Sequence, residues 1–529
     1  MAAHRLRLAH RRHRPAAVVR LQIFHGRGAL ADRQARRERL VGWPYRRRSH
    51  RRCTRRRRTH GAASGQPDRQ WILRRGYQAV RQTALYHRDQ RQPQRRRRQR
   101  GRRAARCALP RGDERVPEAH RRAQKPEERM KTPLSAFAGY GIELEYMIVD
   151  RETLSIKPIA DRLFDDAGSL HQEHDRIGCS NELVLHQIEL KNDHPTADLE
   201  ALPIWFMEKI QRINSALTVF NARLMPSAMH PWMNPITETR LWPHRQAEIY
   251  QAYERIFDCH RHGHANVQSM QVNLPFADDA EFARLHEAVR WALPLIPALA
   301  ASSPFADGQW SGFMDYRLEV YRTHQQRVPS TAGELIPEPV TSPAEYRSKI
   351  LVPMFKEIAP YDPEGVLQHE WLNVRAAVPR FERSAIEIRL ADVQECPQAD
   401  IAIAAAIIAL VRHLYDNTGD WPTADTTNLF RILKSTMLDA EQAVITDSVY
   451  LRRLGYAGER CTTRELWQFL IDQPLSSLPL LQPWGPTLQL ILKHGTLARR
   501  LRNHIGIKAE RTKLDATYRE LCDCLNEGR

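Results

Sequence analysis

Residues 141–150 read Gly-Ile-Glu-Leu-Glu-Tyr-Met-Ile-Val-Asp, and this alternation commits the chain to a β-sheet with two unlike faces. Successive strand side chains point to opposite sides, so Ile142, Leu144 and Tyr146 share one face while Glu143 and Glu145 share the other. The two glutamate Cα atoms would sit about 6.5–7 Å apart. Carboxylates that close repel unless a cation lies between them. Hard oxygen ligands of this kind suit Mg²⁺, which commonly accompanies a phosphate substrate. The solvated face of an edge strand would carry the same pattern, so the rest of the chain must decide.

Four further sets bear on that choice. In Glu182-Leu-Val-Leu-His-Gln-Ile-Glu189, Glu189 lies between apolar neighbours and needs a partner or a metal. Glu182 is an odd number of residues away, so it joins Glu189 only from an entering loop or across a bulge. Glu387 and Arg389, in Ile-Glu-Ile-Arg-Leu-Ala-Asp392, share a strand face: an acid for a metal beside an arginine for phosphate oxygens, or simply an ion pair. Gln271 and Asn273 share one side of another expected strand. Arg317, Arg322 and Arg327 fall in a long loop and could clamp a carboxylate or phosphates. Cys259-His-Arg-His-Gly-His264 suggests zinc by composition, but its spacing does not match a closed tetrahedral site and reads as a polar loop or strand entry.

The composition describes two unlike pieces. Residues 1–129 hold 40 of the chain's 81 basic residues, 39 of them Arg, and only 9 of its 61 acidic ones. The remainder is mildly acidic, with 41 basic and 52 acidic residues. The first piece has no Asn, one Lys and no sustained apolar periodicity, so it cannot build a core that offsets its ordering entropy. GC-rich DNA read upstream of a true start yields this composition, and the expectation is that ordinary globular sequence opens at Met130. A disordered basic tail that binds nucleic acid is a second reading, and an Arg-rich targeting peptide a third that its length and lack of amphipathic spacing disfavour; nucleic acid is otherwise not an expected partner.

Three regions follow: 1–129 as described, a catalytic domain over 130–427, and a helical region over 428–529 packed on it. Strands are expected at Phe137–Asp150, Leu183–Leu190, Val267–Leu274 and Ala385–Leu390. Helices are expected at Ala197–Leu224, His244–Asp258, Asp278–Ala301 and Ala399–Tyr415. Ser302–Val340, with Gly308, Gly312 and Gly333, reads as a long loop and candidate lid. The order predicts an α+β fold on an antiparallel sheet. There is no glycine-rich phosphate loop, so any ATP would be held by metals and arginines. No run reaches the ~18–20 apolar residues of a membrane span, and Ile401–Val411 reads as a buried helix. Eight scattered cysteines fit free thiols in a reducing cytoplasm.

Together these segments resemble the glutamate–cysteine ligase family, within the carboxylate–amine ligases. Four blocks carry the resemblance: Gly141-Ile-Glu-Leu-Glu145; Glu182 to Glu189; Gln271-Val-Asn-Leu274 with Ser303-Pro-Phe305 and Gly308; and Glu387-Ile-Arg389 with Asp392. The third is similar to the plant and proteobacterial branch. The resemblance implies a glutamine-synthetase-like fold, an antiparallel sheet funnel with flanking helices and a helical C-terminal region. It implies that Glu143, Glu145, Glu189 and Glu387 hold Mg²⁺, with Glu182 at a position acidic in relatives. Gln271, Asn273 and Arg327 would contact nucleotide or substrate, Arg317 the glutamate α-carboxylate, and Arg389 the transferring phosphoryl group. The implied reaction joins L-glutamate to L-cysteine with ATP. A different acceptor amine, or a guanidino kinase-like phosphotransfer, would use a similar set of groups.

Overall fold

The alternation in residues 141–150 produces the strand it predicts. The computed structural model describes residues 133–164, 175–419 and 421–529. The Arg-rich segment and the expectations attached to it lie outside the described residues. Nine strands matter here: β1 (Gly141–Asp150), β2 (Ile177–Asn181), β3 (Gln187–Asn192), β4 (Ala222–Met225), β5 (Ser269–Pro275), the short hairpin β6 (Phe305–Ala306) and β7 (Gln309–Trp310), β8 (Ala377–Arg380) and β9 (Ala385–Asp392). The main sheet has the order β2-β3-β1-β5-β9-β8, with β4 pairing the far end of β1. Every pairing in it is antiparallel.

One face of this sheet is apolar. Ile142, Leu144 and Tyr146 of β1, Ile188 and Leu190 of β3, Val272 and Leu274 of β5 and Ile386 and Ile388 of β9 are buried in one core. The helices α1 (Leu202–Leu217), α2 (Ala247–Phe257), α3 (Asp279–Ala292), α4 (Tyr316–Thr323) and α5 (Pro397–Asp416) contribute to the same core. α5 is buried nearly all round, as an Ala/Ile-rich helix must be, and opens with Pro397 at its first turn, where the missing N–H costs nothing. Among the described residues it is the one helix long and apolar enough to cross a membrane, and most of it is covered by protein. Each fully buried Leu or Ile contributes about 1.5–3 kcal/mol; Ile388→Ala would cost about 2–5 kcal/mol.

The fold is α+β, an antiparallel sheet with flanking helices. From 426 onward come α6 (Thr426–Asp439), α7 (Thr463–Asp472), α8 (Gly485–His494), α9 (Leu497–Ile505) and α10 (Arg511–Glu527). They pack on the same body: Trp467 of α7 donates to the Leu295 carbonyl at 3.0 Å, and Arg223 of β4 pairs with Asp523 of α10 at 2.7 Å.

Several expectations need correcting. Ala197–Leu224 holds a helix only to Leu217; Asn221, at φ 49°, then turns the chain into β4. Leu183–Leu190 is the β2–β3 turn plus the first four of the six residues of β3. The helix from Asp278 stops at Ala292, because Pro294 and Pro297 cannot donate to the preceding turn. Asp278 caps it, accepting from Glu281 N at 2.9 Å. Ser302–Val340 is not an open loop. It contains the β6–β7 hairpin and α4, whose N-cap Asp315 accepts from Leu318 N at 3.1 Å, and Ser302 and Ser303 are fully buried.

Candidate active site

The second face of the sheet is polar. Cross-strand register puts Glu143 beside Lys191 and Gln271, Glu145 beside Glu189, and Asn273 beside Glu387. Alternation along β1, β3, β5 and β9 thus gathers groups that are far apart in sequence.

At one end the carboxylates dominate. Glu182 lies just past β2 in the turn toward β3, which resolves its odd spacing from Glu189. One oxygen each from Glu145, Glu182 and Glu189 lie within 4.8 Å of one another. Glu145 is oriented by Ser269 N at 2.6 Å and Gln271 Nε2 at 2.8 Å. Asn273 Nδ2 donates to Glu143 at 3.0 Å. Ser180 Oγ and Lys191 Nζ donate to Glu189 at 3.2 and 2.5 Å. Burial, then repulsion from Glu189, pushes Glu143 and Glu182 well above the usual carboxylate range. The same causes bring Glu145 to about 7. Burial pushes Glu189 up too, but the Lys191 charge together with hydrogen bonds from Glu143 and Lys191 holds Glu189 below its ordinary value.

At the other end arginines dominate. Glu387 accepts from Arg380 Nε at 2.8 Å and Nη2 at 3.1 Å, and from Arg389 Nη2. Burial would raise its pKa; Arg389 and Arg380 overcome that and hold it at about 2. Both Glu387 oxygens therefore serve arginines, where the sequence reading expects a metal ligand. Arg389 Nη1 also donates to Tyr321 Oη at 3.5 Å, while its buried Nε–H has no partner.

Beneath this face lies an anchor. Arg389 and Asp392 are an odd step apart and would face opposite sides of a regular strand. A register shift between β5 and β9 brings Asp392 opposite Ser269 instead, on the polar side. Asp392 accepts from Arg317 Nε at 2.5 Å, Ser302 N at 2.7 Å and Ser303 Oγ at 2.7 Å. Arg317 also donates to the Leu390 carbonyl at 2.6 Å. It is buried and internally engaged, so the expectation that it grips a substrate carboxylate is corrected to a structural role. Gln271 and Asn273 orient glutamates, where the sequence reading expects nucleotide contact. Arg322 pairs with Glu319 at 2.6 Å. Arg327 is exposed, 5.9 Å from the centre of the Tyr361 ring, and bonds none of the site's acids. His262–Ala265 is a helical turn; His260 bonds Glu254 and His262 bonds Asp307, while neither buried ring nitrogen of His264 has a hydrogen-bond partner.

Sequence reasoning missed Lys191 and Arg380. Lys191 is two residues beyond Glu189, so alternation alone puts it on the acidic face. Arg380 sits on β8, a four-residue strand containing Pro379, which leaves little strand signal.

The family model of glutamate-cysteine ligase family 2 (GCS2) matches residues 140–457, which span every residue of this face. The chain belongs to that family. It is a family of carboxylate–amine ligases. An "Uncharacterized protein" of Archaeoglobus fulgidus is 36% identical over 275 residues, covering 51% of this chain and 73% of its own. A "Putative glutamate--cysteine ligase 2" of Bradyrhizobium sp. (strain ORS 278) is 28% identical over 286 residues, covering 53% of this chain; the match spans 62% of that relative's length. Among solved structures, the complex between the prokaryotic ubiquitin-like protein Pup and its ligase PafA aligns at TM-score 0.37 and 12% identity, over 73% of each chain.

Proposed function

We propose that this protein is an ATP-dependent ligase that joins the γ-carboxylate of L-glutamate to the amine of L-cysteine through γ-glutamyl phosphate, the first step of glutathione synthesis, in the cytoplasm. The observation that carries this reading is the convergence of Glu145, Glu182 and Glu189, with Glu143 beside them, on the sheet face that bears Arg389 at its other end. The name of the Bradyrhizobium relative supports the choice of substrates.

The acid end fits Mg²⁺: hard oxygen donors, closely set, whose mutual repulsion a divalent ion would relieve. Glu145, Glu182 and Glu189 would hold the ion, with Glu143 adjoining. When bound it supplies positive charge to phosphate oxygens. Ser269, Gln271 and Asn273 fix the carboxylates in place, so little reorganisation is needed. Arg389, with its free Nε–H, stabilises charge developing on the transferred phosphoryl group, and Arg380 and Glu387 orient it. A carboxylate is a poor electrophile until phosphorylated; attack by the amine on the acyl phosphate then releases phosphate and forms the amide.

Mass spectrometry of a mixture of ATP, Mg²⁺, glutamate and cysteine tests this. Equal amounts of ADP, phosphate and γ-glutamylcysteine are expected. Product with another amine would change the acceptor alone, and no glutamate-dependent ADP release with any amine would remove the ligase reading.

A further inference from the structure

Lys191 is the only basic side chain that ion-pairs with the acid end among the described residues. Its Nζ lies 2.5 Å from Glu189 Oε1. Across the strands it faces Glu143 on one side and Gly178 on the other. Gly178 leaves room there: an added Cβ would meet only the Lys191 carbonyl, at 3.8 Å. The Lys191 side chain is 39% exposed, against 9% for Glu189. An ammonium on a flexible four-carbon stem can therefore leave the carboxylates for solvent without disturbing the core.

We propose that Lys191 is a built-in competitor for the divalent cation: its ammonium occupies the acid end in the cation-free protein, yields when the ion enters, and so sets the affinity of the site. This rests on reading the acid end as a cation site. A lysine left in place would repel the incoming ion, and one that moves away gives up its pairing with Glu189; either way, binding is weaker than it would be without the lysine. The contacts point the same way: Lys191 pairs with one oxygen of Glu189, whereas an ion among Glu145, Glu182 and Glu189 meets three carboxyl groups at once.

The test uses the full chain stripped of metal and titrated with Mn²⁺ alone, free Mn²⁺ being read by electron paramagnetic resonance. Lys191→Gln should bind Mn²⁺ about tenfold more tightly than wild type, and Lys191→Arg, which keeps the charge, should bind as wild type does. Equal or weaker binding by the Gln variant overturns the proposal. No Mn²⁺ binding by wild type would instead bring down the reading of the acid end itself. A second measurement needs no variant. Acetylation of Lys191 in the wild-type protein, followed by peptide mass spectrometry, should rise several-fold when Mn²⁺ is added. Labelling that is unchanged or reduced contradicts the displacement.

Discussion

The two ends of the polar face carry opposite surpluses of charge. At the arginine end, Glu387 is held between Arg380 and Arg389 and stays ionised to about pH 2. At the acid end, four carboxylates share one lysine, and three of them are pushed upward by burial and mutual repulsion. Both ends sit on the same sheet, the acid end on β1 and β3 and the arginine end on β8 and β9, over the same apolar core. The difference lies in which side chains alternation presents, and on the function proposed above one end would receive cations and the other anions. A substrate with a terminal phosphate bridged to a metal matches that polarity.

The largest effect expected is on activity. Glu145→Gln should lower glutamate-dependent ADP release at least about a hundredfold, and should weaken Mn²⁺ binding as well, with the melting temperature nearly unchanged. Arg389→Ala should lower the same rate about 10²–10³-fold while leaving Mn²⁺ binding intact. Equal loss of Mn²⁺ binding in both variants would break the division between the ends.

Next comes the anchor. Arg317→Ala strands Asp392 as a buried unpaired carboxylate, at a cost of about 3–5 kcal/mol. Thermal melting should fall by about 4–6 °C. A rise in the KM for glutamate with unchanged melting would restore Arg317 as a substrate contact.

This residue shows where the sequence is legible and where it is not. The strand bearing Glu143 and Glu145 was plain, because a period of two with Ile, Leu and Tyr on one side has no helical reading. Glu182 was recognisable as a problem of parity, solved only when the turn after β2 appeared. The role of Asp392 needed the register shift against β5, which no single strand encodes. Arg317 reads as a loop residue because Gly308 and Gly312 precede it; the eight-residue α4 is short, and its burial comes from tertiary contacts. β4 and β8, four residues each, fall below the length at which periodicity can be read.

A smaller effect is expected on acidification. The turn that delivers Glu182 leads to His186, whose Nε2–H donates to the Ala265 carbonyl at 2.7 Å and whose buried ring is held neutral, with a pKa of about 4. The unfolded chain binds a proton at His186 from about pH 6.5 downward, so stability falls as pH drops from 6.5 to 4, by about 3 kcal/mol at most. Hydrogen exchange at pH 5 should show residues 182–186 opening before β8 and β9, and His186→Gln should reduce the pH dependence of that local opening. Simultaneous opening of both ends would argue against this. Smallest of all, Asn273→Ala removes one hydrogen bond to Glu143 and should weaken Mn²⁺ binding by about 1 kcal/mol, as measured by the same titration.

Crystals soaked in Mn²⁺ give the most direct measurement, since anomalous scattering locates the ion without assuming a reaction. A peak among the carboxylates of Glu145, Glu182 and Glu189 is the result this account predicts. Full occupancy of Mn²⁺ elsewhere, with Lys191 still against Glu189 and no peak at the acid end, would contradict it.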